Sequence, residues 1–210
     1  MEKKAQGKIV IVSGPSGAGK TTVLARLLEK CGQSLELSIS ATTRLPRPGE
    51  IPGKNYFFLS PEEFQKRKEN DDFLEAFEVF GKGYWYGTLK SEVSKHLDLG
   101  KSVLLEIDVA GMQEVIQKFP NAITIFISPG TLEELEYRLR NRGTETEQSI
   151  QRRLEVARRE MELSNRYQHI VVNKTIEGSV EQLLGILKNL GILKNLDNSK
   201  NKEKVGTDEE

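Results

Sequence analysis

"KIVIVSGPSGAGKTTVLARLLEK", residues 8–30, decides the fold. Lys8 to Val12 is an apolar, β-branched run of strand length, and "TTVLARLLEK" places apolar residues at helical spacing. Between them, Gly14-Pro15-Ser16-Gly17-Ala18-Gly19-Lys20-Thr21 matches G-x-x-x-x-G-K-[ST] in the context the pattern requires, after a strand and before a helix. The glycines let the backbone curl so that successive N–H groups converge on phosphate oxygens, and the helix N-terminus adds partial positive charge. Lys20 is expected to reach the β- and γ-phosphates of a nucleotide, and the Thr21 hydroxyl to ligate Mg²⁺. An ordinary glycine-rich turn is the competing reading, and the flanking strand and helix weigh against it.

Outward from this motif, strand-length apolar runs alternate with amphipathic helical segments, the pattern of an α/β protein on a parallel sheet. The expected core strands are Lys8 to Val12, Ser34 to Ser38, Ser102 to Asp108, Ala122 to Ser128 and His169 to Asn173. Ser60-Pro61-Glu62-Glu63 marks a helix start, and Thr131 with Glu134 and Thr144 with Glu147 repeat the capping-box spacing. Between Thr42 and Thr88 turns, aromatics and one capped helix suggest an inserted lobe. A charge-dense second lobe spans Leu132 to Arg166, with two helices meeting at Arg142-Gly143. "GILKNL" occurs at 185 and again at 191, too short a period for a solenoid, and is expected to extend the last helix. Residues 194–210 have almost no apolar content and are expected to be a disordered polar tail.

The 210 residues carry 31 Lys and Arg against 31 Asp and Glu, so no global basic field points to nucleic acid, and anion binding must be local. The single cysteine, Cys31, excludes an internal disulfide framework and is assigned no chemistry. The start "MEKKAQGKIVIVSG" turns too early for a signal peptide, and no apolar run approaches the roughly 20 residues of a membrane span. A cytoplasmic enzyme is the expectation, with no membrane partner; composition leaves monomer and homo-oligomer open.

A phosphate-binding loop identifies a nucleotide, not a reaction. The acceptor's site is sought in "SISATTRLPRPGEIPGKNYFF", residues 38–58, where Pro46 and Pro48 stiffen a segment bearing Arg44 and Arg47. Guanidinium forks match phosphate oxygens. Two such arginines alone are equally a solvated basic loop.

Together with "SGPSGAGKTT", "GKNYFF", "FLEAFEVFG", "YGT", "LEIDVAG", "RLRNRGTET", "QRRL" and "IVVN", this loop makes the chain resemble the guanylate kinases, ATP:GMP phosphotransferases, from about Gly7 to Gly191. The resemblance implies a P-loop NTPase fold: a central parallel sheet flanked by helices, an inserted GMP-binding lobe and a helical lid. It implies a single domain over 1–193, with core segments 7–39, 89–131 and 167–193, GMP lobe 40–88 and lid 132–166. ATP would be held by Gly14, Pro15, Ser16, Gly17, Ala18, Gly19, Lys20, Thr21 and Thr22, with Arg138, Arg142 and Asn173, the last on the adenine side. Arg44, Arg47, Tyr56 and Tyr86 would hold the GMP phosphate, and Ser40, Glu75 and Thr88 would face guanine. Asp108 would lie between the nucleotides near Mg²⁺, with Glu106 beside it. Arg142 and Arg153 would stabilise the phosphoryl group in flight, joining Lys20, Arg44 and Asp108 as the catalytic set. ATP with Mg²⁺, and GMP or dGMP, are the implied ligands.

For Glu75 the chemistry agrees: a carboxylate accepts from guanine N1–H and the 2-amino group together, and adenine offers neither. Without the resemblance, Glu75 is one acidic residue on a polar face. A GMP phosphate is already an ionised nucleophile, so no general base is required, and His96 and His169 are left to helix-surface and strand-end roles. Departures from the family pattern are Ala76 in place of a tryptophan, Glu106 in place of an aspartate, Ala110-Gly111 in place of "QG", and two extra residues in "FGKGYWYGT". The last makes Tyr86, not Tyr84, the expected phosphate ligand through its Y-G-T context. The alternatives are a non-catalytic guanylate-kinase-like module, against which Lys20 and Thr21 speak, and a kinase of another nucleoside monophosphate. A GTPase is more distant, because no N-K-x-D-type motif is evident.

Overall fold

The computed structural model describes residues 7–79, 83–141, 143 and 146–193. The expected disordered tail (194–210), Arg142 and Thr144 lie outside the described residues, as does most of the insertion in "FGKGYWYGT".

Five parallel strands form the central sheet: β1 (Ile9–Ser13), β2 (Leu35–Leu37), β7 (Ser102–Glu106), β8 (Ile123–Ser128) and β9 (His169–Val172), in the order β2-β7-β1-β8-β9. β1 and β8 are buried along their whole length, as expected of central parallel strands covered on both faces. The strand period of two sorts β1 between two cores. Val10 and Val12 pack under the helices α1 (Lys20–Cys31) and α7 (Ile176–Asn189), with Leu24, Leu27 and Leu183. Ile9 and Ile11 face the other layer, with Val93 of α3 (Lys90–Asp98) and Met112 and Val115 of α4 (Val109–Lys118). Cys31 ends α1 inside the first core, where burial pushes its thiol up to about 11.

Between β2 and α3 the chain builds a second sheet from β3 (Ala41–Thr42), β4 (Phe57–Phe58), β5 (Phe73–Val79) and β6 (Tyr84–Leu89), ordered β4-β3-β6-β5. Helix α2 (Pro61–Glu69) covers it, its Phe64 stacked on Phe73 at 4.5 Å between centroids. The Ser60 side chain accepts from Glu63 N, as its sequence suggests. Helices α5 (Leu132–Arg140) and α6 (Glu147–Glu162) enclose a small core of Leu135, Leu139, Ile150 and Ala157.

Helix ends confirm some sequence signals and correct others. Thr131 and Glu134 form the expected capping box. α6 starts at Glu147 and is capped by Thr146, whose side chain accepts from Ser149 N; the Thr144 of the expected box lies outside the described residues. Glu147 is thus the first helical residue, and it pairs with Arg140. β7 stops at Glu106 rather than Asp108, because Asp108 is the N-cap of α4 and accepts from Gly111 N at 2.7 Å. The second "GILKNL" does not extend α7. Gly191 adopts φ 69°, a conformation that ends a helix, and Ile192 and Leu193 fold back into the first core. Lys8 Nζ reaches across to Leu190 O at 2.8 Å and ties this turn to the start of β1. His96 is more enclosed than the expected surface role: its imidazole is 16% exposed and sits 3.7 Å from Glu92.

Candidate active site

The site lies at the carboxyl ends of β1 and β7, where open parallel sheets bind ligands. Residues 14–19 turn from β1 into α1, and the turn needs glycine on steric grounds. Gly14 has φ 148°, and a Cβ there would come within 2.1 Å of Ile127 O. At Gly17, φ 98°, a Cβ would meet Leu135 Cδ1 at 2.9 Å, so the α5–α6 pair rests directly on the loop. The N–H groups of Ser16, Gly17 and Gly19 have no acceptor among the described residues, while Ala18 N bonds Pro15 O. Free donors and a helix N-terminus form an anion cradle.

Lys20 folds back over this cradle and donates to Gly14 O at 2.5 Å and Pro15 O at 3.1 Å. Burial lowers its pKa, opposed by the charges of Glu106, Glu160 and Asp108. Thr21 Oγ1 donates to Glu106 Oε1 at 3.2 Å at the end of β7. This hydroxyl and carboxylate are hard oxygen donors at the rim of the phosphate cradle. They suit Mg²⁺, which is commonly held by one or two protein oxygens together with substrate phosphates and water.

Two cavities meet here. One, of about 510 Å³, is lined by Ser16, Gly17, Gly19, Lys20, Thr21 and Thr22 on one side and Arg44, Arg47, Tyr56 and Tyr86 on the other. The cradle and the cationic loop therefore share one space. Arg44 Nε donates to Tyr86 Oη at 3.1 Å, and Tyr56 stands edge-on to Tyr86 with centroids 5.8 Å apart. Tyr84 lines the same cavity, and of the two tyrosines it is Tyr86 that hydrogen-bonds Arg44.

The second cavity, about 650 Å³, is lined by Ser38, Ser40, Tyr56, Glu75, Phe77, Tyr86, Glu106 and Asp108, together with Lys20 of the cradle and Arg153 and Glu160 of α6. Glu75 is its most unusual group. Its carboxylate accepts from Thr88 Oγ1 at 2.6 Å through Oε1, whereas Oε2 is buried with no partner among the described residues. Burial pushes its pKa up to about 7 against the Thr88 bond, with the charge of Asp108 adding to the rise. Asp108 is raised as well, by burial, although Gly111 N holds it partly down. A buried carboxylate with a spare acceptor invites a paired donor from outside the chain.

The structure gives other expected residues different tasks. Thr88 is buried behind Glu75 and orients it instead of lining the cavity. Asn173 is buried, donates to Ala18 O at 2.7 Å and accepts from Ser179 Oγ at 3.0 Å, so its carboxamide braces the loop. Arg138 reaches back to Asn173 O at 2.6 Å. Arg153 donates to Ser16 Oγ at 3.1 Å, linking α6 to the cradle.

Several residues of the cleft escape a sequence reading, four of them polar or aromatic groups of note. Ser38 has a buried hydroxyl without a partner among the described residues, and Phe77 is stacked near Tyr86 at 6.4 Å. Glu160 looks over the cavity from α6, its carboxyl raised to about 7 by burial while the Lys20 charge lowers it. Glu50 holds Arg44. Only Glu50 had a signal, as an acid set among the basic and proline residues of its loop.

The family model for guanylate kinase matches residues 6–190, nearly the whole described chain. The chain belongs to the guanylate kinase family. A guanylate kinase of Rhodopirellula baltica is 52% identical over 182 residues, covering 86% of this chain and 87% of the relative. One from Caldanaerobacter subterraneus is 46% identical and covers 89% of each. The crystal structure of a guanylate kinase from Anaplasma phagocytophilum superposes with a TM-score of 0.72 at 32% identity, over 89% of this chain and 87% of that one. This member of the guanylate kinase family is accordingly a nucleotide-binding kinase enzyme with a P-loop fold. Among its described residues, no helix is long and apolar enough to cross a membrane.

Proposed function

We propose that the chain transfers the γ-phosphoryl group of ATP to GMP, and to dGMP, giving ADP and GDP for guanine nucleotide synthesis and recycling. The observation that carries this reading is the buried Glu75 carboxylate, with Oε2 unpartnered, in a cavity that runs to Lys20 of the phosphate cradle. Guanine presents two donors on one edge, N1–H and the 2-amino group, and satisfies such a carboxylate. Adenine in its place would leave a buried charge unpaired. Segment 40–88 acts as the acceptor lobe and segment 132–166 as the lid, on a core of 7–39, 89–131 and 167–193.

In this mechanism the loop N–H groups and Lys20 hold the donor's phosphates, and Arg44 and Arg47 hold the acceptor's phosphate on the facing wall. An acceptor phosphate oxygen forms a bond to the γ-phosphorus while the bond from that phosphorus to the β–γ bridging oxygen breaks, and ADP carries away the electron pair. The acceptor oxygen is already ionised, so no side chain needs to remove a proton. Lys20, Arg44 and Arg153 contribute fixed positive charge where negative charge spreads over the transferred group. Thr21 would hold Mg²⁺, with the Glu106 and Asp108 carboxylates lining the same cleft. When bound, the ion would supply charge neutralisation for the donor's phosphates. Lid residues exclude water, which would otherwise compete as acceptor.

A coupled assay of ADP release with GMP, dGMP, AMP, CMP and UMP tests the assignment. GMP and dGMP should turn over and the other three should not. Turnover with AMP in the absence of turnover with GMP refutes it, and loss of turnover on chelation of divalent cations checks the Mg²⁺ requirement.

A further inference from the structure

The acceptor loop contains a group that simple charge counting would exclude. Glu50 sits between the two arginines and accepts from both. Arg44 forms a fork on its carboxylate, NH1 to Oε2 at 2.9 Å and NH2 to Oε1 at 2.8 Å, and Arg47 N donates to Oε2 at 2.7 Å. The backbone closes the same turn, Glu50 N donating to Arg47 O at 3.0 Å. The Arg44 and Glu50 side chains are only 10% and 18% exposed. Arg44 also donates to Leu45 O at 2.7 Å and to Tyr86 Oη, and its guanidinium lies 5.4 Å from the Tyr56 ring centre. Of its five N–H groups, those bonds use four, leaving one on NH2 for a ligand. The Arg47 guanidinium, by contrast, is exposed and has no hydrogen bond or ion pair among the described residues. Both arginines and Glu50 line the cavity shared with the phosphate cradle.

We propose that Glu50 is a positioning residue for acceptor recognition: its carboxylate staples residues 44–50 into the one shape in which Arg44 and Arg47 meet the acceptor's phosphate. The inference rests on the reading of these arginines as phosphate ligands. Two effects of Glu50 oppose each other. Its negative charge repels a phosphate in the same cavity and weakens the positive field of Arg44. Its hydrogen bonds, however, remove the rotamer freedom of a long side chain and fix a loop that carries exposed Leu45 and Ile51 at its flanks and has little apolar burial to hold it. The fork is held on three sides, by Glu50, Tyr86 and the Tyr56 ring, so preorganisation outweighs repulsion. Removing the negative charge therefore weakens binding of a negatively charged ligand.

The test is Glu50→Gln, which keeps the shape and removes the charge. Dissociation constants for GMP and for guanosine, which lacks the phosphate, are measured by calorimetry on the full chain, together with KM for GMP and ATP. GMP binding should weaken about tenfold, with guanosine binding within about twofold of wild type, and KM for GMP should rise while KM for ATP stays. Unchanged or tighter GMP binding overturns the proposal. Parallel loss of guanosine and GMP binding also overturns it, because it assigns Glu50 a general structural role. Arg44→Gln, run alongside, separates the two levels. If it leaves the ratio of GMP to guanosine affinity unaltered, the phosphate-ligand reading itself falls. If it collapses that ratio and Glu50→Gln does not, only the role of Glu50 falls.

Discussion

Replacing Glu75 with Gln should make the free protein more stable at alkaline pH and a poorer enzyme. Glu75 is 2% exposed, and burial lifts its carboxyl from 4.5 to about 7. At about 1.4 kcal/mol per tenfold change, the ionised form costs about 3 kcal/mol more in the folded state than in the unfolded chain. Because the folded pKa is the raised one, the cost is absent below pH 4.5, where both states are protonated. It develops as pH rises and is complete above about 7. Gln carries no charge and keeps an acceptor for Thr88 Oγ1, but its amide nitrogen needs a partner, which reduces the gain to about 1–3 kcal/mol. For a chain of this size that is a rise of several degrees in Tm at pH 8, which shrinks as pH falls and reverses by about pH 4.5, where only the cost of the amide remains. In the ternary complex the balance reverses. Each hydrogen bond to a charged group is worth about 1.5–3 kcal/mol, and Gln both loses one and turns an N–H toward the 2-amino group. The expected fall in kcat/KM for GMP is on the order of a hundredfold, with the preference over AMP reduced accordingly. Thermal unfolding of both proteins from pH 4.5 to 8.5, beside steady-state kinetics with GMP and AMP, reads both effects. A mutant whose stability follows the wild-type pH curve, or whose GMP preference is unchanged, refutes the account of Glu75.

Guanosine has no phosphate to titrate, so its affinity isolates the base-side carboxylate; it should weaken as pH falls through about 7, and a flat binding profile from pH 6 to 8 contradicts the ionised acceptor. Lys20→Ala should lower kcat by roughly a thousandfold while GMP still binds by calorimetry, and retained turnover removes Lys20 from the donor site. Gly14→Ala places a methyl group 2.1 Å from Ile127 O and forces a strained φ, so stability should drop by roughly 2 kcal/mol or more with a loss of ATP affinity, checked by chemical unfolding and donor KM.

The central sheet was legible because its physics is local. Buried parallel strands are apolar throughout, and the stretches around Ile9, Leu104 and Ile125 declare themselves without reference to a partner. The second sheet was not legible in that way. β3 and β4 have two residues each, and β5 reads "FLEAFEV", in which the buried Glu75 breaks the apolar pattern. The start of α6 was less legible, because its cap, Thr146, works through Ser149 N and has no carboxylate three residues on to mark it as a capping box. In the site, the cradle was readable because its spacing is the chemistry. Contacts made across long sequence separation were hidden: Asn173 bracing Ala18, Thr88 orienting Glu75, and Glu160 brought over Lys20 by a helix whose other acids face solvent.

The bond from Lys8 to Leu190 brings the first and last turns of the described fold together beneath the sheet. β1 runs five residues from there to the nucleotide cradle, so the junction lies roughly 17 Å from the mouth of the cleft, on the opposite floor. A tether, a fluorophore or a fused domain attached at this junction sits away from the cleft. The same proximity suits the fold to circular permutation, with Gly7 and Leu193 joined by a short linker and new ends opened in a surface loop away from the cleft.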